Sequence, residues 1–123
     1  MANEGCVLDN CFCTNSISVP SRASILTGAY SNVNGVYTLE DALFPEADNI
    51  AKQLQNGGYQ TALFGKWHLK KEPAGFDFFQ VFHYQGEYYD PIMKTAAKWV
   101  DDDVKRYGDT IKGYLADIIN DLK

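Results

Sequence analysis

Long apolar runs and basic residues are the two features that this sequence most lacks. No apolar stretch approaches the roughly 18 residues that suggest a membrane-spanning helix. The 123 residues carry a net charge of −5, so we expect neither a nucleic-acid nor a membrane partner. Arg22 and Lys52 are the two basic residues among the first 61. Arg22 is therefore an isolated cation, which either pairs with an acidic side chain or is placed to meet an anion.

The chain has only three cysteines, and their placement argues against two common uses of this residue. Cys6, Cys11 and Cys13 are odd in number and crowded together, which does not fit a disulfide framework. Zinc would need a fourth ligand, and a Cys-x-Cys pair lacks the usual two-residue spacer. We expect free thiols buried in a strand over Val7–Cys13. The first residues show neither the basic patch nor the long apolar stretch of a signal peptide.

The chain does contain enough apolar and aromatic material to fold. Hydrophobic residues make up 46% and aromatic residues 14% of the sequence, which argues against disorder. The length fits one domain, so we expect residues 1–123 to form a single domain. A helix signal followed directly by a strand signal predicts the α/β class.

Glycine and proline mark the borders of the predicted elements. In chain order these elements are a helix over Ser21–Thr27, a helix from Pro45 to Gly57, a strand over Tyr59–Phe64, an edge strand within Gly75–Phe82, and a segment over residues 111–122 that is either a strand or a closing helix.

Residues 18–28 place a hydroxyl at the start of a predicted helix. The free backbone N–H groups and the positive dipole end of a helix favour an anion there. Arg22 lies about one turn further along, and its planar guanidinium can donate to a tetrahedral oxyanion. A simpler interpretation stays open at this point: Ser18 is an N-cap, Pro20 a first-turn proline and Arg22 a surface residue.

Residues 65–68, Gly-Lys-Trp-His, follow the predicted strand at the end where open α/β sheets place their ligands. In an extended segment the side chains of Lys66 and His68 would point to the same face. Lysine can neutralise an oxyanion there, and histidine can donate a proton to a leaving oxygen. The alternative is a strand end with an exposed lysine and a half-packed histidine. The segment is not a phosphate loop, and the lack of Gly-x-Ser-x-Gly disfavours an α/β-hydrolase.

Together these two stretches resemble the signatures of the type I sulfatase family, within the alkaline-phosphatase-like superfamily. Ser18–Arg22 and Leu26–Gly28 match the first signature, which is Cys or Ser, any residue, Pro-Ser-Arg and a later Thr-Gly. Gly58–Thr61 and Gly65–His68 match the second. The resemblance covers essentially the whole chain. It implies a partial sulfatase sandwich with helices packed on a small, mostly parallel sheet.

The resemblance also implies a chemistry for the matched residues. Ser18 would be oxidised to formylglycine, as in the serine-type subgroup common in anaerobic bacteria, and its hydrate would attack the sulfur of a sulfate ester. Arg22 would orient the formylglycine, Lys66 would bind a sulfate oxygen, and His68 would assist the departing oxygen. A divalent cation, usually calcium, would take Ser18 as formylglycine among its oxygen ligands. Sulfated glycans are the expected substrates, and the parent protein would be periplasmic or secreted in bacteria.

The same resemblance implies what is missing. The family binds its metal with two adjacent aspartates on a strand upstream of the first signature, and too few residues precede Val7 to supply that strand. The run Asp101–Asp103 lacks the family context and is interpreted as a solvated charged face. We therefore expect an N-terminal segment of a sulfatase catalytic domain, truncated at both ends, lacking the first central strand and inactive alone. Its exposed sheet edge would make it a homo-oligomer.

Two other functions stay open at this point. One is a phosphate or phosphonate ester hydrolase of the same superfamily. The other is a non-catalytic fragment that acts only as an oligomerising module.

Overall fold

The computed structural model of the chain describes residues 3–82, 84–101 and 108–122. These residues form four α-helices, four β-strands and one 3-10 turn. In chain order they are α1 (Ser18–Thr27), α2 (Ser31–Asn34), α3 (Ile50–Asn56), β1 (Ala62–Lys66), β2 (Phe78–Phe82), β3 (Ile92–Lys94), the 3-10 turn (Ala96–Lys98), β4 (Asp109–Thr110) and α4 (Leu115–Asp121). None of the described helices has the length and apolar character needed to cross a bilayer.

The four strands form one mixed sheet in the order β1-β2-β3-β4. β1 and β2 run parallel, whereas β2–β3 and β3–β4 are antiparallel. The α/β class is confirmed, but the expectation of a mostly parallel sheet is wrong. A parallel neighbour needs a crossover of about a dozen or more residues, and the connection from β2 to β3 spans only residues 83–91.

β2 lies inside the sheet, so the prediction of an edge strand within Gly75–Phe82 is wrong in position. Its side chains alternate, with Phe79 and Val81 buried and Gln80 partly exposed, as expected for a strand with one face on a core. In the core, the buried face of β2 packs with one side of α1 and with residues from the loops before α3 and after β1. The buried members of the core are Val19, Ala23, Val36, Leu43, Trp67, Leu69, Phe79 and Val81.

The helix predicted from Ser21 to Thr27 exists and starts earlier, at Ser18. It ends as predicted at Gly28, whose φ of 66° is the left-handed conformation that glycine adopts without steric cost. The helix predicted from Pro45 starts later, at Ile50. Asn49 caps it, because its side chain accepts a hydrogen bond from the Lys52 backbone N–H at 3.1 Å.

The N-terminal segment departs most from expectation. Val7–Cys13 forms no strand in the structure, and Cys6, Cys11 and Cys13 are free but exposed rather than buried. A strand needs a ladder partner, and the described strands pair only among themselves. At the other end, residues 111–122 contain a helix, α4, so the closing-helix alternative is correct.

Candidate active site

Ser18 is the first residue of α1 and lies one helical turn before Arg22. The cap position is Ile17, and it makes no side-chain capping bond. The interpretation of Ser18 as an N-cap is therefore wrong. Residues four apart share a helix face, and Arg22 Nε donates to Ser18 Oγ at 3.2 Å. Ser18 Oγ and the Arg22 guanidinium therefore share one face of α1. A side-chain group from another segment contacts the same hydroxyl.

That group is His68, whose Nδ1 lies 3.1 Å from Ser18 Oγ. Arg22 also reaches the same segment, since its Nη1 donates to the backbone oxygen of Lys66 at 3.0 Å. The two motifs, 50 residues apart at Ser18 and His68, therefore meet through two hydrogen bonds. All four predicted site residues are partly buried, and the structure brings them together.

The backbone turns sharply where β1 ends. His68 and Lys70 have φ values of 59° and 64°, in the left-handed region that non-glycine residues rarely adopt. The extended geometry expected for Lys66 and His68 is therefore wrong. Trp67 and Leu69 are buried and hold the turn in the core. Trp67 Nε1 also donates to the Lys71 backbone oxygen at 2.7 Å.

Lys66 does not share the contact made by His68. Its Nζ donates instead to Oε1 of Gln85, and the His68 ring packs edge-on against Tyr84 with centroids 6.0 Å apart. Sequence reasoning missed both residues. No local sequence signal marks them, because their position depends on the parallel pairing of β1 with β2, in which Lys66 aligns with Phe82. Residues just after β2 therefore belong beside those just after β1.

The site is electropositive. Burial lowers the pKa of Arg22. Burial, and then the charge of Arg22, lowers the pKa of Lys66. The pKa of His68 is lowered first by burial and then by Lys66, Arg22 and Lys70. Within the described residues neither Arg22 nor Lys66 has a carboxylate partner.

A neutral imidazole at His68 can accept a hydrogen bond from Ser18 through Nδ1. Ser18 Oγ accepts from Arg22, so its own proton is free to go to His68 Nδ1. In that arrangement the ring proton of His68 sits on Nε2. The arrangement can hold an anion between cations and can accept a proton from a hydroxyl at residue 18.

The described residues do not form a metal site by themselves. No group of three or more His, Cys, Asp or Glu side chains lies close enough together in this part of the chain. Asp101 is exposed and accepts from Trp99 Nε1 and Lys71 Nζ, as a surface carboxylate does. Residues 102 and 103 lie outside the described residues. Calcium would have to find most of its oxygen ligands elsewhere.

Comparison with known proteins supplies the family. A family model described as Sulfatase matches residues 1–119. N-acetylglucosamine-6-O-sulfatase of Bacteroides thetaiotaomicron is 43% identical over 124 aligned residues, which cover 98% of this chain and 21% of that protein. The chain thus spans about a fifth of the relative's length.

Two solved structures agree. That of BT4656 with D-glucosamine-2-N,6-O-disulfate has a TM-score of 0.79 at 42% identity, covering 92% of this chain and 22% of that one. Ps i-CgsB with a neocarrahexaose has a TM-score of 0.69 at 20% identity, covering 86% of this chain and 29% of the other, and supports the fold alone. The chain belongs to the sulfatase family.

Proposed function

We propose that this chain carries the nucleophile and the sulfate-binding cations of a sulfuric ester hydrolase. The observation that carries the proposal is the position of Ser18 Oγ, 3.1 Å from His68 Nδ1 and 3.2 Å from Arg22 Nε. A hydroxyl held between a proton acceptor and a guanidinium is arranged for transfer of an anionic group. The family membership selects sulfate as that group.

Ser18 would act after conversion to formylglycine, the modification typical of the family. The conversion is a two-electron oxidation that removes two hydrogens from the side chain, and it requires a separate maturation enzyme that takes up the two electrons. The hydrated aldehyde supplies two hydroxyls on one carbon. One attacks sulfur and displaces the alcohol, and the other then loses its proton as the aldehyde re-forms and sulfate leaves. An unmodified serine has no second hydroxyl for that last step.

The neighbouring side chains have separate tasks in this proposal. Arg22 orients residue 18 through its Nε and stays anchored to β1 through its Nη1. Lys66 binds a sulfate oxygen and offsets charge in the transition state. His68 Nδ1 lies 3.1 Å from the oxygen of residue 18, and its lowered pKa favours the neutral ring. The ring accepts the proton of the attacking hydroxyl and then donates a proton to the departing oxygen.

Sulfatases generally use a divalent metal, and the described residues do not provide its site. We therefore assign no step of the reaction to a metal held by this chain. The purified chain, even with formylglycine at residue 18, is expected to bind calcium weakly and to hydrolyse aryl sulfates little or not at all. Substantial turnover by the chain alone would show that the site is complete without further ligands.

A sulfated sugar is the proposed substrate of the longer protein to which these residues would belong. This rests on the relatives, one named for N-acetylglucosamine-6-O-sulfate chemistry and one solved with a glucosamine disulfate. Turnover of sulfate and phosphate esters of the same alcohol would separate a sulfatase from the phosphate or phosphonate hydrolase alternative. A preference for the phosphate ester would overturn the sulfatase assignment.

We also propose that the chain self-associates through β1. This strand ends the described sheet and pairs on one side only, with β2, and an unpaired strand recruits partners. Light scattering across a concentration series tests this, and a monomer at high concentration would contradict it.

Maturation gives the decisive test of the nucleophile. The chain is co-expressed with a serine-type formylglycine-generating enzyme, and the peptide containing Ser18 is analysed by mass spectrometry. We expect a loss of two hydrogens at residue 18 and reactivity with a hydrazide, both absent in S18A. An intact serine, under conditions where the enzyme modifies a known substrate, would overturn the assignment and leave the non-catalytic alternative.

A further inference from the structure

The turn after β2 contacts two of the four site residues, and no comparison assigns it a role. Tyr84 packs its ring against His68, and Gln85 accepts a hydrogen bond from Lys66 Nζ. Both contacts follow from the parallel register that aligns Phe82 with Lys66.

The turn is held in place from both sides. Tyr84 has a φ of 43°, a strained value for an aromatic residue. Gly86 has a φ of 78°, and a Cβ there would come within 2.5 Å of the Phe82 ring. Glycine at 86 therefore lets the chain fold back over Phe82, which brings the exposed side chain of Gln85 beside Lys66.

The chemistry of the partner matters as much as its position. A carboxylate beside a lysine ammonium would offset its positive charge. Lys66 instead meets a neutral amide oxygen, and in the described residues no carboxylate pairs with it. Its positive charge remains available beside that of Arg22, at the cost of mutual repulsion between the two cations.

We propose that Gln85 is a positioning residue that fixes the Lys66 ammonium without neutralising it, so that Lys66 and Arg22 together hold the sulfate. This inference rests on the proposed function, because it gives Lys66 its purpose. A flexible lysine side chain loses substantial conformational entropy when it binds an anion. A neutral acceptor that orders the lysine beforehand reduces that loss and does not compete with the anion.

The substitution that discriminates is Gln85→Glu. It keeps the size and reach of the side chain and replaces the amide with a carboxylate, so Lys66 gains an internal counter-ion. Gln85→Ala removes the acceptor and leaves the charge of Lys66 uncompensated. Gln60→Glu makes the same change of net charge at an exposed position just before the other end of β1 and serves as the control.

Inorganic sulfate is the probe, added to the purified full chain and followed by calorimetry and by NMR shifts. We expect Q85E to weaken sulfate binding by about tenfold or more, Q85A to weaken it less, and Q60E to leave it unchanged. Thermal unfolding of each variant monitors any loss of fold. Sulfate affinity in Q85E equal to that of the unchanged chain would overturn the proposal.

A second measurement needs no anion. The pKa of Lys66 is followed by NMR of its side-chain carbons, and Q85E is expected to raise it because a carboxylate stabilises the ammonium. An unchanged Lys66 pKa in Q85E would show that residue 85 does not contact Lys66, and would overturn the proposal whether or not sulfate binds. Failure of the unsubstituted chain to bind sulfate would overturn the proposed function. The Lys66 pKa would still report separately on the contact between Gln85 and Lys66.

Discussion

Ser18 Oγ and His68 Nδ1 lie 3.1 Å apart although the two residues are 50 positions apart in the chain. The contact depends on a helix that starts at Ser18 itself, and on a left-handed turn just after β1. Arg22 links both elements, since it donates to Ser18 Oγ and to the backbone oxygen of Lys66. One guanidinium therefore links the helix that carries Ser18 to the end of the strand that precedes His68.

The charge environment of His68 gives the first prediction. Its pKa should lie below the ordinary 6.5, chiefly through burial and then through Lys66. Lys66→Met removes the cation that lowers this pKa most and should raise the His68 pKa toward 6.5. Lys112→Met, at an exposed lysine paired with Asp90, is the matched control and should not.

The measurement is an NMR titration of the imidazole signals. The chain has two histidines, and His83→Gln identifies the resonance of His68. A His68 pKa that stays constant or falls in K66M would contradict the electrostatic arrangement described above.

The sequence predicted the site better than it predicted the sheet. A short motif within a helix carries its own geometry, because a serine and an arginine four residues apart share a helix face. The geometry of Lys66 and His68 was not predicted, because the chain turns after β1. Sheet direction and strand order depend on contacts between distant segments, which propensity does not encode. Gln85 was missed for that reason, because its place beside Lys66 exists only through the pairing of β1 with β2.

Local sequence signals also predicted one helix start and one strand wrongly. Pro45 is a good first-turn residue, yet the helix begins after Asn49, whose side chain both caps α3 and donates to the Ala74 backbone oxygen at 3.1 Å. The apolar run Val7–Cys13 has strand composition, but strand composition cannot supply a partner strand.

The exposed cysteines give the second prediction. Cys6, Cys11 and Cys13 are free and exposed, so an aromatic disulfide reagent should modify all three in the native chain. Their reaction should be slower than in denaturant by no more than about tenfold. Buried thiols would react only after local unfolding. Stopped-flow absorbance measures the rate. If fewer than three thiols of the native chain react within about ten times the reaction time in denaturant, the result would contradict the structure.

Two glycines with similar backbone angles give the third prediction. Gly28 has a φ of 66° and open space where a Cβ would stand, whereas Gly75 has a φ of 88° and a Cβ there would lie 2.7 Å from the Lys52 backbone nitrogen. Gly28→Ala should cost only the left-handed strain, about 1–2 kcal/mol. Gly75→Ala should cost about 1–3 kcal/mol more through overpacking against α3.

Urea unfolding of both variants measures the two free energies. Equal losses in G28A and G75A would show that α3 moves aside at no cost, and would contradict the tight contact between Gly75 and Lys52.

Asp77 gives the last prediction, because it joins the starts of β1 and β2. Its carboxylate accepts from the Thr61 backbone N–H at 2.8 Å and from Gln55 Nε2 at 3.1 Å. Both hydrogen bonds lower the pKa of Asp77 below its ordinary 3.8, and the bond from the Thr61 backbone has the larger effect. A carboxyl with a lowered pKa in the folded state stabilises the fold fully above its unfolded pKa, and this stabilisation is lost as the pH falls through the folded value.

Asp77→Asn should therefore lower the melting temperature at pH 7, and the gap to the unchanged chain should narrow as the pH falls below about 4. Asp9→Asn makes the same change of charge at an exposed N-terminal position and is the control. Differential scanning calorimetry between pH 2.5 and 7, a range that brackets the ordinary carboxyl pKa of about 3.9, follows both variants. A D77N gap that stays constant across this range would mean that the stabilisation does not depend on ionised Asp77.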